Sequence, residues 1–337
     1  MNAKLLYFVL IAFLCLKCQP TKKTDGSEEV YRIGFYNVEN LFDTKDDPVK
    51  ADEEFMPTAK KKWTTERYQD KLNKINQVIE EMNTPELIGL CEVENKGVLQ
   101  DLIDASKNLK DYSFVHYESP DFRGIDVALL YNKEEFEVMS SKAIPINFPK
   151  EIVENYTTRD ILHVKGKINE EEVHVFVNHW PSRRGGLKAS QPKRVFVAQQ
   201  LNKAIEPILA QNANANIIIM GDMNDETDNK SVQETLNAKS PNENGKLVNC
   251  MADLDKEGKG TYNYRGNWNM LDQIILSPYL YRNTGNFVYQ QTVLFQADWL
   301  MFKHDKYGLT PSRTYGGPNY YGGYSDHLAV YVELKLK

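Results

Sequence analysis

The stretch VHVFVNHWPSRRGG, residues 173–186, decides the fold class because it joins a predicted strand to a loop with several polar and charged side chains. Its valines recur at every second position, which is the pattern of a β-strand. His179 stands where the strand passes into a loop that carries Arg183, Arg184 and two glycines. Such a loop can bring two cations and bare backbone amides to an anion, although arginine pairs are usually solvated surface charge. The stretch predicts a sheet whose strand ends carry the chemistry.

Polar residues also stand at the ends of other predicted strands. Apolar runs at 30–36, 87–91 and 217–220 end in polar residues, whereas the runs that close at Leu276 and Leu334 begin after them. If these last two strands run antiparallel to the others, all the polar ends lie at one rim of the sheets, where sites are commonly built. We expect this rim to gather Asn37, Glu92, His179, Asp222, Asn224, Asp272, Asp326 and His327.

The remaining pattern predicts one domain over residues 30–337, because no repeat, low-complexity block or linker divides it. Apolar residues recur at steps of three and four over 68–82, which is typical of an amphipathic helix. Ser190 and Pro192 predict the start of a second helix. A hairpin over 161–178 favours largely antiparallel sheets. The expected class is therefore α/β (α+β), with strands in a two-sheet sandwich.

The first 18 residues differ from the rest of the chain. Lys4 precedes the apolar run Leu5–Leu16, which is too short to span a bilayer but suits an export signal. The signal is either an ordinary cleaved one or a lipoprotein type in which Cys15 or Cys18 carries the lipid. Residues 19–29 then form a polar tether. We expect an exported protein that is periplasmic, secreted, or attached to the outer membrane through a lipid anchor, with no obligate protein partner.

Charge and cysteine content narrow the function classes. The formal net charge is -6, and loss of the signal would remove Lys4 and Lys17 as well. An acidic body argues against indiscriminate nucleic-acid binding, but it allows a local basic cleft or a metal that supplies positive charge. Cys91 lies inside an apolar run, which predicts a buried free thiol rather than a disulfide or a metal ligand.

The rim residues are mostly carboxylate and amide donors, which suit Mg²⁺ or Mn²⁺ better than zinc. Glu92, directly after a strand, is the first candidate ligand. Asp222 and Asn224 can hold a water molecule or a second cation, and an aspartate beside His327 would make an acid–base unit. Each motif alone is as typical of a polar turn or a capping pair. Together with the arginines, they predict metal-assisted attack on a phosphorus ester.

Seven motifs in order resemble those of the endonuclease/exonuclease/phosphatase superfamily, which has the deoxyribonuclease I-like fold. They are FYNVENLFD, ELIGLCEVEN, RGIDVALLY, VNHWPSRRGG, IIIMGDMND, MLDQIILS and YSDHLAVYVEL, and they cover roughly residues 30–337. Seven ordered motifs are much more specific than any one of them. The resemblance implies a four-layer sandwich of two mainly antiparallel β-sheets flanked by helices, and divalent-metal hydrolysis of phosphodiesters or phosphomonoesters.

The resemblance also implies a role for each site residue. Glu92 resembles the main Mg²⁺ ligand, with Asn37 as its neighbour and Asp326 beside the metal. Asp222 and Asn224 match the pair that positions the attacking water and the phosphate. The other roles that the resemblance implies are Asp272 as the support of His327 and His179 as a second histidine that protonates the leaving group. Asn178, Arg183, Arg184 and Arg159 are expected as substrate contacts because their side chains can donate to phosphate oxygens. For Arg159, a surface ion pair is an equally good interpretation.

The resemblance does not specify the substrate, since members of the superfamily act on DNA, RNA, sphingomyelin, inositol phosphates and nucleotides with similar central residues. The arginine-rich loop and Gln273, which replaces the residue usual after the aspartate, depart from the family pattern. We expect a phosphodiesterase or nuclease that cleaves DNA or RNA. The alternatives are a phosphatase or phosphodiesterase for lipid, sugar or nucleotide phosphates, and a surface lipoprotein that only binds a phosphorylated ligand. A tyrosine- and glycine-rich segment, residues 307–324, predicts either a stacking surface or a loop packed by its own rings.

Overall fold

The computed structural model describes residues 30–337. The predicted export signal of residues 1–18 and the tether of residues 19–29 lie outside the described residues. Within the described range, none of the helices combines the length and the apolar character needed to cross a bilayer.

The described chain alternates strands with a few helices. In chain order, the strands are β1 (Val30–Leu41), β2 (Leu87–Val93), β3 (Tyr112–His116), β4 (Asp126–Asn132), β5 (Phe136–Ile144), β6 (Ile161–Ile168), β7 (Glu171–His179), β8 (Asn216–Asp222), β9 (Ala238–Lys239), β10 (Leu247–Asn249), β11 (Tyr262–Tyr264), β12 (Asn267–Asn269), β13 (Asp272–Leu276), β14 (Phe287–Leu294), β15 (Met301–His304), β16 (Gly308–Pro311), β17 (Tyr315–Gly316), β18 (Asn319–Tyr320) and β19 (Val330–Leu336). The helices are α1 (Thr65–Glu81), α2 (Lys96–Asp104), α3 (Leu187–Gln211), α4 (Ala252–Lys256) and α5 (Pro278–Tyr281).

Two large sheets contain most of these strands. Sheet A has six strands in the order β14-β19-β1-β2-β4-β3, and sheet B has seven in the order β5-β6-β7-β8-β13-β10-β9. Most neighbours are antiparallel, but β1 with β2, β7 with β8 and β9 with β10 are parallel pairs. Strands β13 and β19 run antiparallel to β8 and β1, so their beginnings meet the ends of those partners at one rim.

Three apolar clusters explain the layers. The central cluster lies between the sheets and joins side chains such as Phe35 and Leu129 of sheet A to Val175 and Met220 of sheet B. A second cluster packs α1 and α2 against the outer face of sheet A, and a third packs α3 against the outer face of sheet B. Each sheet is thus covered on both faces, which requires the apolar content that its strands carry. The predicted four-layer sandwich is confirmed.

The second helix begins earlier than its sequence signals indicate. Helix α3 starts at Leu187, with Gly186 as its N-cap at φ 107°, and Pro192 lies inside it. The Ser190 hydroxyl donates to the backbone carbonyl of Gly186 at 2.7 Å instead of capping the helix. The predicted start at Ser190 is therefore wrong by one turn, because a glycine in the left-handed region makes the cap.

The tyrosine- and glycine-rich segment packs on the protein. Tyr315 is buried, and its ring meets that of Tyr320 with centroids 5.3 Å apart. Two charged residues hold the segment from beneath. The buried Lys71 of α1 donates to the Thr314 hydroxyl at 2.6 Å, and the Glu39 carboxylate accepts from the Thr314 amide at 2.6 Å. Of the two interpretations of this segment, the structure supports a loop packed by its own rings.

Candidate active site

Neighbouring strands bring the predicted residues to one rim through their register. In sheet B, His179 of β7 and Asp272 of β13 both pair with Asp222, the last residue of β8. In sheet A, Asn37 of β1 pairs with Cys91, next to Glu92 of β2. The Asn37 side-chain amide donates to Asp222 Oδ2 at 3.1 Å, so one hydrogen bond joins the two sheets at this rim.

Asp272 and His327 form the shortest histidine contact of the site. Asp272 Oδ2 lies 2.6 Å from His327 Nδ1, and both side chains are almost fully buried. Burial opposes the charged imidazolium, but the nearby carboxylates of Asp272 and Asp222 outweigh it and raise the pKa of His327 well above its ordinary value. His327 is therefore a cationic group beside a fixed anion, able to donate from Nε2.

His179 has the opposite electrostatic environment. Its Nε2 lies 3.5 Å from Asp222 Oδ2 and 3.9 Å from Glu92 Oε1. Burial, followed by the positive charges of Arg159 and Arg123, lowers the pKa of His179 well below its ordinary value. The imidazole is thus neutral at physiological pH and able to accept a proton.

The turn after β8 places Asp222 and Asn224 side by side. Asn224 has φ 49°, and its backbone amide donates to Asp222 Oδ1 at 2.9 Å. Its side-chain amide donates to the carbonyl of Trp180 at 3.0 Å. Burial raises the pKa of Asp222 to about 6, and the carboxylate of Asp272 adds to this effect. Both side chains are therefore fixed by protein contacts before a substrate arrives.

Glu92 occupies an irregular position that turns its side chain toward the site. The register shifts between Cys91 and Val93, and Glu92 has φ 63° in the left-handed region. Such bulged, positive-φ residues are concentrated at functional sites. Its Oε2 accepts from the Asn40 amide at 3.0 Å, while its Oε1 faces His179.

The rim fits a divalent cation. Asp222 and Asp272 present carboxylate oxygens within 4.8 Å of each other, and Glu92 and Asn37 border them. Within residues 30–337, Asp272 Oδ1 and His179 Nδ1 are buried polar atoms without a hydrogen-bond partner. A group of carboxylates with unsatisfied oxygen is a donor set that hard cations prefer. Glu92 and Asn37 are the residues that would hold such an ion. Asp326, also expected near the metal, is bound by Arg313 at 2.7 Å.

The predicted substrate contacts lie differently from the expectation. Asn178 is fully buried and uses its amide on the carbonyls of Phe176 and Met220. Arg159 is buried and donates to Asp121 at 3.1 Å and to the Trp180 carbonyl at 2.8 Å. Both side chains are thus held by protein contacts, although Arg159 Nε is buried without a hydrogen-bond partner within the described residues.

The two loop arginines differ from each other in exposure. Arg183 donates from Nε to the Asn224 carbonyl at 2.8 Å and from Nη1 to Asn269 Oδ1 at 3.1 Å, and its Nη2 lies 3.3 Å from Glu226. Arg184 is exposed. Arg183 therefore braces the turn that carries Asn224, and Arg184 is the loop arginine that remains free to meet a substrate.

Three further residues at the rim were not identified from the sequence. Tyr262 stacks against His327 with ring centroids 4.8 Å apart, and Arg313 binds Asp326. Arg123 is close enough to lower the pKa of His179 and is partly exposed. Arg123 opens the motif RGIDVALLY and Tyr262 begins β11, but the contacts that bring the three residues to the rim are made with residues distant in sequence.

Comparison with known proteins identifies the architecture. The chain matches the profile of the Endonuclease/Exonuclease/phosphatase family over residues 32–336. No curated protein matches it significantly. Among solved structures, it is similar to a humanised D. rerio TDP2 at 15% identity and TM-score 0.56, with 90% of this chain and 98% of the other covered.

Two bacterial structures have the same fold. An endonuclease/exonuclease/phosphatase family protein from Bacteroides thetaiotaomicron is 15% identical at TM-score 0.57, covering 92% of this chain and 96% of its own. A mannosyl-6-phosphatase from the same organism is 16% identical at TM-score 0.56, covering 90% and 99%. Because the family profile spans nearly all the described residues, the chain belongs to the endonuclease/exonuclease/phosphatase family, whose members are metal-dependent hydrolases of phosphoric esters.

Proposed function

We propose that this enzyme is a divalent-metal-dependent phosphodiesterase that cleaves DNA or RNA by in-line attack of water on phosphorus. The observation that carries the proposal is the convergence of two histidines on one acidic rim, with His179 against Asp222 and His327 against Asp272. Hydrolysis of a diester needs a group that accepts a proton from water and a group that protonates the departing oxygen. This rim has both groups: His179 lies at the end of β7 in sheet B, and His327 lies in the loop before β19 of sheet A.

The chain's own residues divide the work as follows. A divalent cation held by Glu92 and Asn37 would supply charge neutralisation at the phosphate oxygens, and Mg²⁺ or Mn²⁺ suits these donors. Asp222, oriented by Asn37 and by the Asn224 amide, positions the water, whose proton passes to Asp222 or His179. The new bond forms between the water oxygen and phosphorus as the ester P–O bond breaks. His327, and not the His179 expected from the resemblance, donates the proton that the leaving oxygen requires, because Asp272 stabilises the charged form of His327 whereas His179 is neutral.

A nucleic-acid substrate is supported by the basic residues that stay exposed at the rim. Arg123 and Arg313 have side chains 43% and 39% exposed, and Arg184 in the loop after β7 is exposed. Phosphates that flank the scissile one are bound by such groups. A D. rerio TDP2 complexed with a single-strand DNA product has the same fold, at 14% identity and TM-score 0.55, covering 91% of this chain and 99% of its own.

The second candidate is a phosphatase or phosphodiesterase for sugar, lipid or nucleotide phosphates. The engagement of Arg159 and Arg183 in protein contacts favours it, because two of the expected grips on a polymer are used elsewhere. The mannosyl-6-phosphatase of the same fold acts on a small monoester by its description. A protein that only binds a phosphorylated ligand would have lost the water-positioning groups, and Asp222, Asn224 and His327 are all present.

A parallel screen decides between these substrates. Plasmid DNA, RNA, sphingomyelin, inositol phosphates, nucleotides and bis(p-nitrophenyl) phosphate are offered to the enzyme in Mg²⁺ or Mn²⁺, with Asp222→Asn as the blank. We expect strand cleavage that EDTA abolishes. Rapid phosphate release from a monoester with both nucleic acids intact would overturn the nuclease proposal. Full activity in a chelated preparation would overturn the proposed dependence on a divalent metal.

The assignment of Glu92 is tested by the metal requirement. Glu92→Gln keeps the shape of the side chain but removes the charge that attracts a cation, so the metal concentration for half-maximal rate should rise at least tenfold. Glu81→Gln, at an exposed position of α1, is the matched control. An unchanged metal titration in Glu92→Gln would remove Glu92 as a ligand.

We also propose that the protein is exported, on the strength of the apolar run Leu5–Leu16 and the cysteines that close it. In cells, the full chain should partition with the envelope or the medium. Cys15→Ser and Cys18→Ser separate the two signal types, since loss of membrane attachment in one of them identifies a lipidated cysteine. Recovery of the unprocessed chain in the cytoplasm would contradict export.

A further inference from the structure

A second cluster of metal-ligating side chains lies at the same rim, outside the catalytic group. His116 is the last residue of β3 and Asp126 the first of β4, and Glu118 follows two residues after His116. The Cα of Asp126 pairs with that of Val93, the residue after Glu92. The three side chains offer ligand atoms that lie within 4.8 Å of one another.

The buried members of this cluster lack the partners that buried polar groups normally have. The side chains of His116 and Asp126 are 0% and 1% exposed. Within residues 30–337, neither ring nitrogen of His116 has a hydrogen-bond partner, and neither does Asp126 Oδ2. Leaving a buried polar group unsatisfied costs about 1–3 kcal/mol, so the unsatisfied His116 Nε2 and Asp126 Oδ2, which lie 3.3 Å apart, indicate a missing ligand.

The spacing of these atoms matches metal coordination better than a direct hydrogen bond. His116 Nε2 and Asp126 Oδ2 are 3.3 Å apart without hydrogen-bond geometry. Two ligands on a tetrahedral zinc ion, each bonded at about 2.0–2.1 Å, are separated by about 3.3 Å. Glu118 is exposed and would complete the set from the solvent side, giving the ion a way in.

We propose that His116, Glu118 and Asp126 bind a zinc-like transition-metal ion that fixes the rim loop of residues 117–125. One imidazole and two carboxylates form a three-ligand set that leaves a fourth position for water, as zinc accepts, and the imidazole favours such an ion over Mg²⁺. This site is separate from the catalytic one and goes beyond the proposed hydrolysis.

The surrounding contacts explain what a bound ion would stabilise. Asp126 Oδ1 accepts from the Ser119 amide at 3.0 Å, and Lys50 Nζ donates to the carbonyls of Ser119 and Asp121 at 2.8 and 3.1 Å. Asp121 in turn binds Arg159 at 3.1 Å, which also holds the Trp180 carbonyl next to His179. An ion bound by His116 would therefore stabilise the loop of residues 117–125. Asp121 of this loop orients Arg159, which lies next to His179.

Zinc binding to the purified full chain tests the site. Metal-free protein carrying Glu92→Gln, which weakens the proposed catalytic ion, is titrated with Zn²⁺ alone by calorimetry and compared with the same protein carrying Glu118→Gln as well. We expect the second protein to lose one equivalent of zinc, or to bind it at least tenfold more weakly. Glu137→Gln, exposed on the neighbouring strand β5, is the matched control and should titrate like the parent.

A spectroscopic readout keeps the proposal falsifiable where a buried variant fails to fold. Co²⁺ in place of zinc should give the visible absorption of a tetrahedral site, and that absorption should disappear in Glu118→Gln and in Asp126→Asn. Equal zinc stoichiometry and affinity in the parent and the Glu118→Gln protein would overturn the site, as would cobalt absorption that persists in both variants. Hydrolysis is not part of either measurement, so failure here is distinguishable from failure of the proposed catalytic function.

Discussion

The bond between Asp272 and His327 makes the sharpest prediction for a single residue. Asp272→Asn removes the charge that keeps His327 protonated but keeps a hydrogen-bonding side chain 2.6 Å from Nδ1. Because a positioned acid contributes about 10²–10⁴-fold to rate, kcat on a diester should fall by that order while KM changes little. Steady-state kinetics at pH 7 measure the two parameters.

The control for this change is Asp305→Asn, at an exposed aspartate away from the site. It should leave both kinetic parameters unaltered. If Asp272→Asn raises KM with kcat intact, then Asp272 supports substrate binding rather than the protonation of the leaving oxygen, and the role given to His327 fails with it.

Substitution of two arginines of one chain segment should change the free energy of unfolding by very different amounts. Arg194 is fully buried and binds Asp225 at 2.7 Å, whereas Arg184 is exposed. Arg194→Met removes the nearer cation from the buried Asp225 carboxylate and leaves Arg183 at 3.9 Å, which should lower the free energy of unfolding by up to about 3–5 kcal/mol. Arg184→Met should change it by less than about 0.5 kcal/mol. Urea unfolding measures both, and a mild effect of Arg194→Met would mean that Ser231 and Arg183 are sufficient to stabilise the Asp225 carboxylate.

Residue types were predictable from the sequence, but the use of each side chain was not. The ordered motifs identify Glu92, Asp222 and His327 as rim residues because Glu92 and Asp222 stand at the ends of strands and His327 shortly precedes β19, next to apolar runs that the sequence shows. Arg183 has the same local appearance as Arg184, yet it donates to Asn224 and Asn269. Partners that lie 41 and 86 residues away leave no trace in a local pattern.

Among the elements, the hairpin of β6 and β7 carries a pH-dependent contact. His163 and His174 lie across this hairpin with Nε2 and Nδ1 3.0 Å apart, and His163 stacks on Phe176. Burial, then the charges of His174, Lys142 and Lys165, lower the pKa of His163 to about 4. The hairpin therefore holds a neutral histidine at a pH where an unfolded one would be protonated.

Acid should destabilise the protein through His163, because folding lowers the pKa of this side chain. Below pH 6.5 the unfolded chain takes up a proton that folded His163 does not accept until about pH 4, so the free energy of unfolding falls across that window, by up to about 3 kcal/mol. His163→Gln should flatten this fall between pH 6.5 and 4, whereas His304→Gln on β15 should not. Urea midpoints at four pH values across the window measure it. A parallel decline in the parent and His163→Gln would show that other groups set the acid limit.

Element boundaries show why strands were easier to predict than the loops that join them. Their apolar residues located β7 and β8 to within a few residues, because both faces of sheet B are covered and these central strands are buried almost throughout. Helix α3 was placed one turn late, since its cap depends on the positive φ of Gly186 rather than on a capping side chain. The segment 307–324 was left open between two interpretations, because its packing depends on Lys71 and Glu39, which come from distant elements.

On the scale of the whole molecule, the two sheets share one core and should unfold together. Each sheet covers the inner face of the other, and the central cluster contains residues of both. Cys91 of sheet A and Cys250 beside sheet B belong to it and are 0% and 5% exposed. Burial raises the pKa of both thiols, so neither should react with a thiol reagent while the sandwich is intact.

Thiol labelling across a urea gradient measures whether unfolding is a single step. In a full chain with Cys15→Ser and Cys18→Ser, mass spectrometry of the labelled peptides follows each thiol separately. We expect Cys91 and Cys250 to become reactive at the same urea midpoint, coincident with the tryptophan fluorescence transition, because neither sheet can keep its apolar face buried alone. Ser140→Cys, exposed on β5, controls for the reagent by reacting at every concentration. Earlier labelling of Cys250 alone would show that sheet B opens first, and the site that spans both sheets through Asn37 and Asp222 would then be lost before the fold.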